Sequence, residues 1–217
     1  MNPKNAIWVL VVSLFLSQWV QAQNSTISKD TLWYLNGDFE LISDYTVEDN
    51  GSILSYLNRK GKRKTYETFY IFGISKSDGT KEVFYKPMYE DESDTLSVEE
   101  MQAFVIGGFY GSTKYRAPWA TLEGFALGTA SPFIASGVLG SSFWSLPLSF
   151  VIPLTNTTII GATRPSERRI LRKYPELSKN KMFIEGFKES AKRKRTKNSL
   201  LGGLAGLATG ILIISLK

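Results

Sequence analysis

Acidic side chains are the residues with the clearest potential for chemistry in this chain, because its 217 residues include no His and no Cys. Without imidazole or thiolate groups, the usual zinc sites, thiol nucleophiles and Ser-His-Asp triads cannot be built. Asp44, Glu48 and Asp49 form one acidic group, and residues 90–92 form another. Paired carboxylates can hydrolyse a bond or hold Ca²⁺. Solvated loop charges explain both groups better.

Other reactive patterns are missing as well. No Gly-x-x-x-x-Gly-Lys-Ser/Thr loop is present, and no Gly-x-Gly-x-x-Gly opens a helix after a strand. A Ser-Lys dyad would need one Ser and one Lys brought together in a cleft, and no spacing singles out such a pair. The sequence therefore predicts no catalytic residues, no cofactor and no metal ligands.

Two long uncharged stretches indicate where the protein resides. Residues 124–163 contain no charged side chain, and a second uncharged run covers 198–216. A bilayer core needs about 20 helical residues, so the first stretch can cross twice and the second once. The triplet at 140–142 predicts a turn, and hence an apolar helical hairpin over 118–163. One long tilted span and a buried soluble helical pair are the alternatives.

Glycine spacing in these stretches predicts close helix packing. Gly124 and Gly128 form a Gly-x-x-x-Gly pair, and Gly202, Gly206 and Gly210 recur every four residues along one helix face. Small residues at this spacing let two helix backbones approach each other. The stripe therefore predicts contact with another helix, either in the same chain or in a second copy.

The first 22 residues read as a signal peptide. A short positive start precedes an apolar core over 6–16, and the small residues of Val20-Gln21-Ala22 suit cleavage after Ala22. An uncleaved signal anchor is the alternative, and both versions export the rest of the chain. The absence of Cys excludes a lipid-modified N-terminal Cys and any disulfide, which suits a bacterial envelope.

Residues 30–87 are predicted to form a small β domain. Short apolar and aromatic runs alternate with turn signals, of which Asn36-Gly37 is the strongest. The predicted strands are Thr31–Leu35, Phe39–Val47, Ser52–Leu57, Tyr66–Ile74 and Glu82–Tyr85. Strands at this spacing fit an antiparallel meander or an SH3-like barrel. With the helices that come after it, the fold class is α+β.

An amphipathic helix is predicted over 97–117, after an acidic linker. Ser97 and Glu100 form a capping box, in which each side chain satisfies a free amide of the first helical turn. Beyond the hairpin, a basic helical segment over 164–197 leads into the apolar helix 198–216 without a helix breaker.

The basic segment is expected to bind lipid head groups. Residues 161–199 contain thirteen Lys or Arg and four Glu, a local charge of +9 in a chain of net charge +6. Beside an apolar helix, this favours anionic lipids over nucleic acid. The head-group candidates are Lys192, Arg193, Lys194, Arg195 and Lys197. Their positive charge would place them in the cytoplasm, which conflicts with two crossings after an exported domain.

The C-terminal part of the chain resembles a group of envelope proteins. Phe183-Ile184-Glu185-Gly186-Phe187-Lys188, then 191–195, Asn198 and Gly202-Gly203, are similar to the tail of uncharacterised envelope proteins of Bacteroidota. The turn Leu35-Asn36-Gly37 after a signal peptide is similar to their front part. The resemblance implies an exported β domain on glycine-rich helices and transfers no catalytic residue.

Two function classes stay open. The favoured one is a non-enzymatic bacterial envelope protein, in which an exported β module facing the periplasm stands on a membrane-embedded helical base. Its partners would be membrane lipids and either a second copy of itself or another envelope protein. The alternative is an envelope enzyme that uses carboxylate or Ser/Lys chemistry in the β domain.

Overall fold

The computed structural model describes residues 30–87, 96–139, 145–163 and 165–216. The described chain is an α+β structure, a six-stranded antiparallel sheet and five α-helices. The strands are β1 Asp30–Tyr34, β2 Phe39–Glu48, β3 Ile53–Asn58, β4 Arg63–Glu67, β5 Ile71–Ser75 and β6 Lys81–Val83. The helices are α1 Val98–Thr113, α2 Pro118–Leu139, α3 Ser145–Ala162, α4 Glu167–Lys173 and α5 Lys181–Ser215. The predicted signal peptide, the acidic group at 90–92 and the turn at 140–142 lie outside the described residues.

The sheet has the strand order β4-β3-β2-β1-β5-β6. The first four strands form a meander, and β5 returns to pair with β1 on its free side. The predicted Asn36-Gly37 turn joins β1 to β2, and Gly37 has φ +81°, a conformation that glycine adopts without strain. Alternate apolar residues of the strands form the core: Leu32, Ile42, Leu54, Tyr56, Ile71 and Ile74.

The fourth predicted strand, Tyr66–Ile74, is wrong. Strand β4 ends at Glu67, and a 3-10 turn over Thr68–Tyr70 carries the chain to β5. This turn contains neither Gly nor Pro, so a continuous aromatic run conceals it in the sequence. The structure therefore has six strands where five were predicted.

Helix boundaries also differ from the prediction in two places. Helix α1 ends at Thr113, and Pro118 begins α2, a position where its missing N–H is harmless. Helix α5 begins at Lys181, where the Asn180 side chain accepts a hydrogen bond from the Met182 amide at 2.9 Å. From there α5 runs unbroken through the basic segment and the apolar run.

Helices α2, α3 and the second half of α5 lie together in one apolar bundle. At the near end of the bundle, which is the end next to the basic segment, the Asn198 side-chain amide donates to the Ala117 carbonyl at 3.4 Å, and Gly161 faces Thr196. Towards the other end, Gly210 faces α2. Among the described helices, only α5 is long and apolar enough to cross a membrane by length and composition, and the apolar stretch of α3, Pro147–Ala162, is shorter.

The inside of this bundle is mostly small or polar, with Ile160 and Leu207 as its large buried apolar side chains, and its outside is large and apolar. Ser131, Ser149 and Ser199 are buried, and the Asn156 amide and Thr157 hydroxyl lie 3.5 and 3.4 Å from the Ser199 hydroxyl. The exposed side chains include Leu122, Phe133, Ile134, Val138, Phe150, Val151, Leu154, Ile159, Leu201, Leu204, Leu212 and Ile213. This distribution is the reverse of that in a water-soluble bundle.

The predicted packing glycines lie where α2 and α5 touch. A Cβ added at Gly124 or Gly128 would overlap the Ser199 or Gly203 carbonyl of α5. From the other side, Cβ atoms at Gly202, Gly206 and Gly210 would overlap the carbonyls of Thr121, Phe125 and Thr129 in α2. The two backbones are therefore in direct contact, within one chain.

The same contact continues in the first half of α5, which packs on α1. Cβ atoms at Gly107 and Gly111 of α1 would overlap the Phe183 and Phe187 carbonyls, and one at Gly186 would overlap the Phe104 carbonyl. Helix α5 is thus the common partner of α1 and α2, and glycine sets its distance to both.

We expect Gly206→Ala to lower the free energy of unfolding by about 1–3 kcal/mol, because the new methyl group overlaps the Phe125 carbonyl and forces α2 and α5 apart. Gly137→Ala is the matched control in α2, since no described residue lies within 4 Å of its added Cβ. Helix propensity alone should make that control up to about 1 kcal/mol more stable. Denaturant unfolding of the full chain in mild detergent measures both, and equal effects would contradict the glycine contact.

Candidate functional site

The sheet meets the helices through one turn and three aromatic rings. Gly37 of the β1–β2 turn lies against Gly108 of α1, where a Cβ on either residue would clash with the other. The Phe109 ring meets the Trp33 and Phe39 rings edge-on, with centroid distances of 5.4 and 5.0 Å. These aromatic side chains are therefore occupied in docking the sheet to α1.

Arg193, a predicted head-group residue, holds the same turn. Its guanidinium donates to the Asn36 carbonyl and to the Ser190 hydroxyl, the latter at 3.1 Å. The Asp38 carboxylate lies 3.7 Å away. The Nε atom of Arg193 is buried without a hydrogen-bond partner in the described part of the chain. The contacts of Arg193 thus connect α5 to the sheet.

Lys194 and Arg195 meet the ends of two other helices. The Lys194 ammonium donates to the Ser112 carbonyl in the last turn of α1 at 2.5 Å. The Arg195 guanidinium donates to the Thr163 carbonyl, just beyond α3, at 3.2 Å. Cations are favourable at such carbonyl-rich helix ends. Of the two other predicted head-group residues, Lys192 is half-buried and Lys197 is exposed.

A second group of cations lines a cavity of about 840 Å³ between α1 and α4. Lys114 and Arg116 come from the end of α1 and the link to α2, and Arg169, Arg172 and Lys173 come from α4. The sequence reasoning singled out none of these five. The signal was present, because residues three and four apart share one helix face and α4 carries arginines at that spacing.

The floor of this cationic cavity is aromatic and apolar. Phe187 of α5 and Ile170 of α4 are buried beneath it, and Tyr110, Tyr115 and Tyr174 are half-buried around it. Neither Asp nor Glu is among the described residues that line it. The closest acidic residue in α4, Glu167, instead accepts a hydrogen bond from Lys188 at 2.9 Å.

A smaller neighbouring cavity, of about 300 Å³, extends the cationic cavity towards the apolar bundle. Arg116 and Arg169 line both, and the neighbour adds Arg195, Glu123 and Trp119. The Trp119 side chain is 78% exposed in the first turn of α2. The cations therefore lie at the level where the apolar bundle begins.

The sheet carries a half-buried polar cluster centred on Glu40. Its carboxylate accepts hydrogen bonds from Lys64 at 2.8 Å, Tyr56 at 2.7 Å and Tyr34 at 3.2 Å. Burial raises the pKa of Glu40, but the hydrogen bonds from Lys64, Tyr56 and Tyr34 outweigh it, and the pKa lies below its ordinary value. Burial, more than any other effect, raises the pKa of Tyr34 to about 12 and raises that of Tyr56 further. Glu40 is therefore ionised and the two tyrosines are protonated near neutral pH, so none of the three changes its protonation state there.

Of the two acidic groups singled out in the sequence, only Asp44, Glu48 and Asp49 lie within the described residues. All three are exposed, Asp44 at an irregularity inside β2 and Glu48 and Asp49 at the β2–β3 turn. Within the described residues, no three acidic side chains lie close enough to hold a metal ion.

No family model, curated protein or solved structure matches this chain. A function can therefore be inferred from the cationic cavity and from the apolar bundle, which we call inverted because its large apolar side chains face outward.

Acid should weaken the sheet through Glu40. Because its folded pKa is depressed, its contribution is complete above the ordinary pKa of 4.5 and is lost as the pH falls through the folded value. Glu40→Gln should cost about 1–3 kcal/mol at neutral pH and flatten that part of the stability curve. Glu67→Gln, at an exposed position on β4, is the control and should follow the wild type. Unfolding measured from pH 7 to pH 3 tests this, and parallel curves for wild type and Glu40→Gln would refute it.

Loss of Arg193 should loosen the sheet from α5. In Arg193→Gln we expect faster amide hydrogen exchange at residues 35–39, because the contacts to Asn36 and Asp38 are removed while the sheet core is untouched. Lys192→Gln removes the same charge one position earlier and should leave exchange in this turn unchanged. Equal protection of residues 35–39 in both variants would contradict a role of Arg193 in holding the turn.

Proposed function

We propose that the protein is a non-enzymatic protein of the bacterial cell envelope, in which an exported β module stands on a membrane-embedded helical base. The module, a four-strand meander whose fifth strand returns to β1, would be an SH3-like barrel facing the periplasm. Anionic lipids surround the base, and the module binds an envelope partner or a second copy of the chain.

The inverted apolar bundle is the observation that carries this proposal. Exposed Leu, Ile, Val and Phe side chains occur on α2, α3 and α5, while glycine and hydroxyl groups face inward. In water, so large an apolar surface would drive association. In lipid, small residues inside and apolar residues outside are the usual arrangement. The apolar end of α5, residues 198–215, is roughly 27 Å long, close to the thickness of a bilayer core.

This geometry bears on the conflict between two crossings by the hairpin and a cytoplasmic location of the basic segment. The sheet, the basic part of α5 and the near end of the bundle lie on one side, because Arg193 reaches Asn36 and Arg195 reaches Thr163. This arrangement favours two crossings by α2 and α3, packed as a pair against α5, the one described helix that is long and apolar enough to cross by itself. The contacts of Arg193, Lys194 and Arg195 give these cations a role in folding, so they are weaker indicators of a cytoplasmic location.

Self-association, in this proposal, uses faces other than the glycine stripe. Gly202, Gly206 and Gly210 are already covered by α2 of the same chain. The remaining faces are the outer apolar surface of the bundle and the edges of the sheet, β4 and β6.

The alternative of an envelope enzyme finds little support in the sheet. Glu40 is its best carboxylate candidate, but three donors surround that carboxylate and hold it ionised. A general acid or base needs a proton that it can give or take near the working pH. We therefore favour a binding role.

Membrane retention tests the proposal. After expression with its own N-terminus, the full chain should stay in the membrane pellet after extraction at alkaline pH and enter the supernatant only with detergent. A peripheral protein from the same cells is the control. Recovery of the chain in the alkaline supernatant would contradict an embedded base.

Cysteine labelling tests the sidedness, since the chain has no Cys of its own. We expect Lys60→Cys on the sheet and Lys179→Cys before α5 to react with a membrane-impermeant maleimide once the outer membrane is permeabilised. Ser215→Cys at the end of α5 should react only after the inner membrane is opened. Labelling of Lys60→Cys and Lys179→Cys from opposite sides would contradict the two-crossing hairpin.

A further inference from the structure

Among the described residues, the cationic cavity between α1 and α4 is lined by five positive side chains and by neither Asp nor Glu. The acidic residue Glu123 lines the neighbouring cavity. Within the described residues, Lys114, Arg116, Arg169 and Arg172 form no ion pair, and Lys173 contacts only the Tyr174 ring, at 5.3 Å. By contrast, Arg193 and Lys194 have acceptors within the protein. The five side chains are exposed around one opening, and their combined positive potential would attract an anionic ligand.

The residue types in the cavity favour phosphate among anions. Three of the five cations are arginines, whose planar guanidinium groups can donate two parallel hydrogen bonds to a phosphate. They come from two separate segments, the link after α1 and helix α4, so a ligand would bridge both.

The position of the cavity favours a lipid as the source of that phosphate. Arg116 and Arg169 also line the neighbouring cavity, beside the exposed Trp119 and the first residues of α2. Trp is typical of the interface between the bilayer and water. The buried Phe187 and Ile170 give the cationic cavity an apolar floor. Head-group phosphate and apolar chain could therefore be accommodated next to each other.

We propose that the cavity lined by Arg116, Arg169 and Arg172 binds the phosphate group of an anionic phospholipid at the membrane surface. This inference rests on the proposed membrane-embedded base. It moves specific lipid binding from the predicted cluster at 192–197 to a site that α1 and α4 build together.

The test uses the full chain in a neutral detergent, titrated by calorimetry with dihexanoyl phosphatidylglycerol, dihexanoyl phosphatidylcholine and glycerol phosphate. We expect phosphatidylglycerol to bind at least tenfold more tightly than phosphatidylcholine. Arg169→Gln/Arg172→Gln should weaken binding about 25-fold, from roughly fivefold for each charge removed. The matched control, Arg168→Gln/Lys181→Gln, removes two exposed charges that do not line the cavity and should change the affinity less than twofold.

Each alternative outcome overturns a stated part of the inference. Glycerol phosphate binding as tightly as phosphatidylglycerol would assign the site to a soluble phosphate ester. Equal weakening in the two double variants would show general charge attraction without a site. Circular dichroism and retention in the membrane pellet check that both variants fold and insert. Absence of phosphatidylglycerol binding by a chain that stays in the membrane overturns this inference alone, whereas alkaline extraction of the wild type overturns the proposed function.

Discussion

Direct backbone contact along α5 is the constraint on which the rest of the structure depends. At Gly186 this helix touches α1, and at Gly202, Gly206 and Gly210 it touches α2. No side chain separates the helices at these points, so a single methyl group is enough to change their spacing. Because one continuous helix makes both contacts, the position of α1 and the position of the apolar bundle are determined together.

The location of the sheet depends on that constraint. Helix α1 presents Gly108 to Gly37 of the β1–β2 turn, and α5 presents Arg193 to the same turn. The two contacts could not form together if α1 and α5 stood further apart. Glycine therefore has two roles here: it allows the turn itself at Gly37, and it lets that turn approach the helices closely. A small sheet of this size is stabilised by leaning on such a support.

Local signals predicted much of this fold, and long-range signals were harder to read. The Asn36-Gly37 turn and the Ser97–Glu100 capping box result from short-range chemistry, and the capping box is formed as expected. The break at Thr68–Tyr70 was missed because its residues are good strand formers, and only pairing of β5 with β1 requires the turn. The cationic cavity was missed for a related reason. Its members are separated in sequence, from Lys114 to Lys173, and only tertiary packing brings them together.

The basic residues of the chain divide into two classes that charge alone does not distinguish. Arg193, Lys194 and Arg195 donate to carbonyls of the turn, of α1 and of the residue after α3, so these three cations have hydrogen-bond acceptors within the protein. Arg169 and Arg172 have the same chemistry but no internal acceptor among the described residues. A cluster of cations in a sequence therefore identifies a candidate ligand site poorly until the internal acceptors are known. In the described part of the chain, three residues of the densest basic run join the elements, and the sparser set around α4 forms no ion pair, which is why we propose it as the anion site.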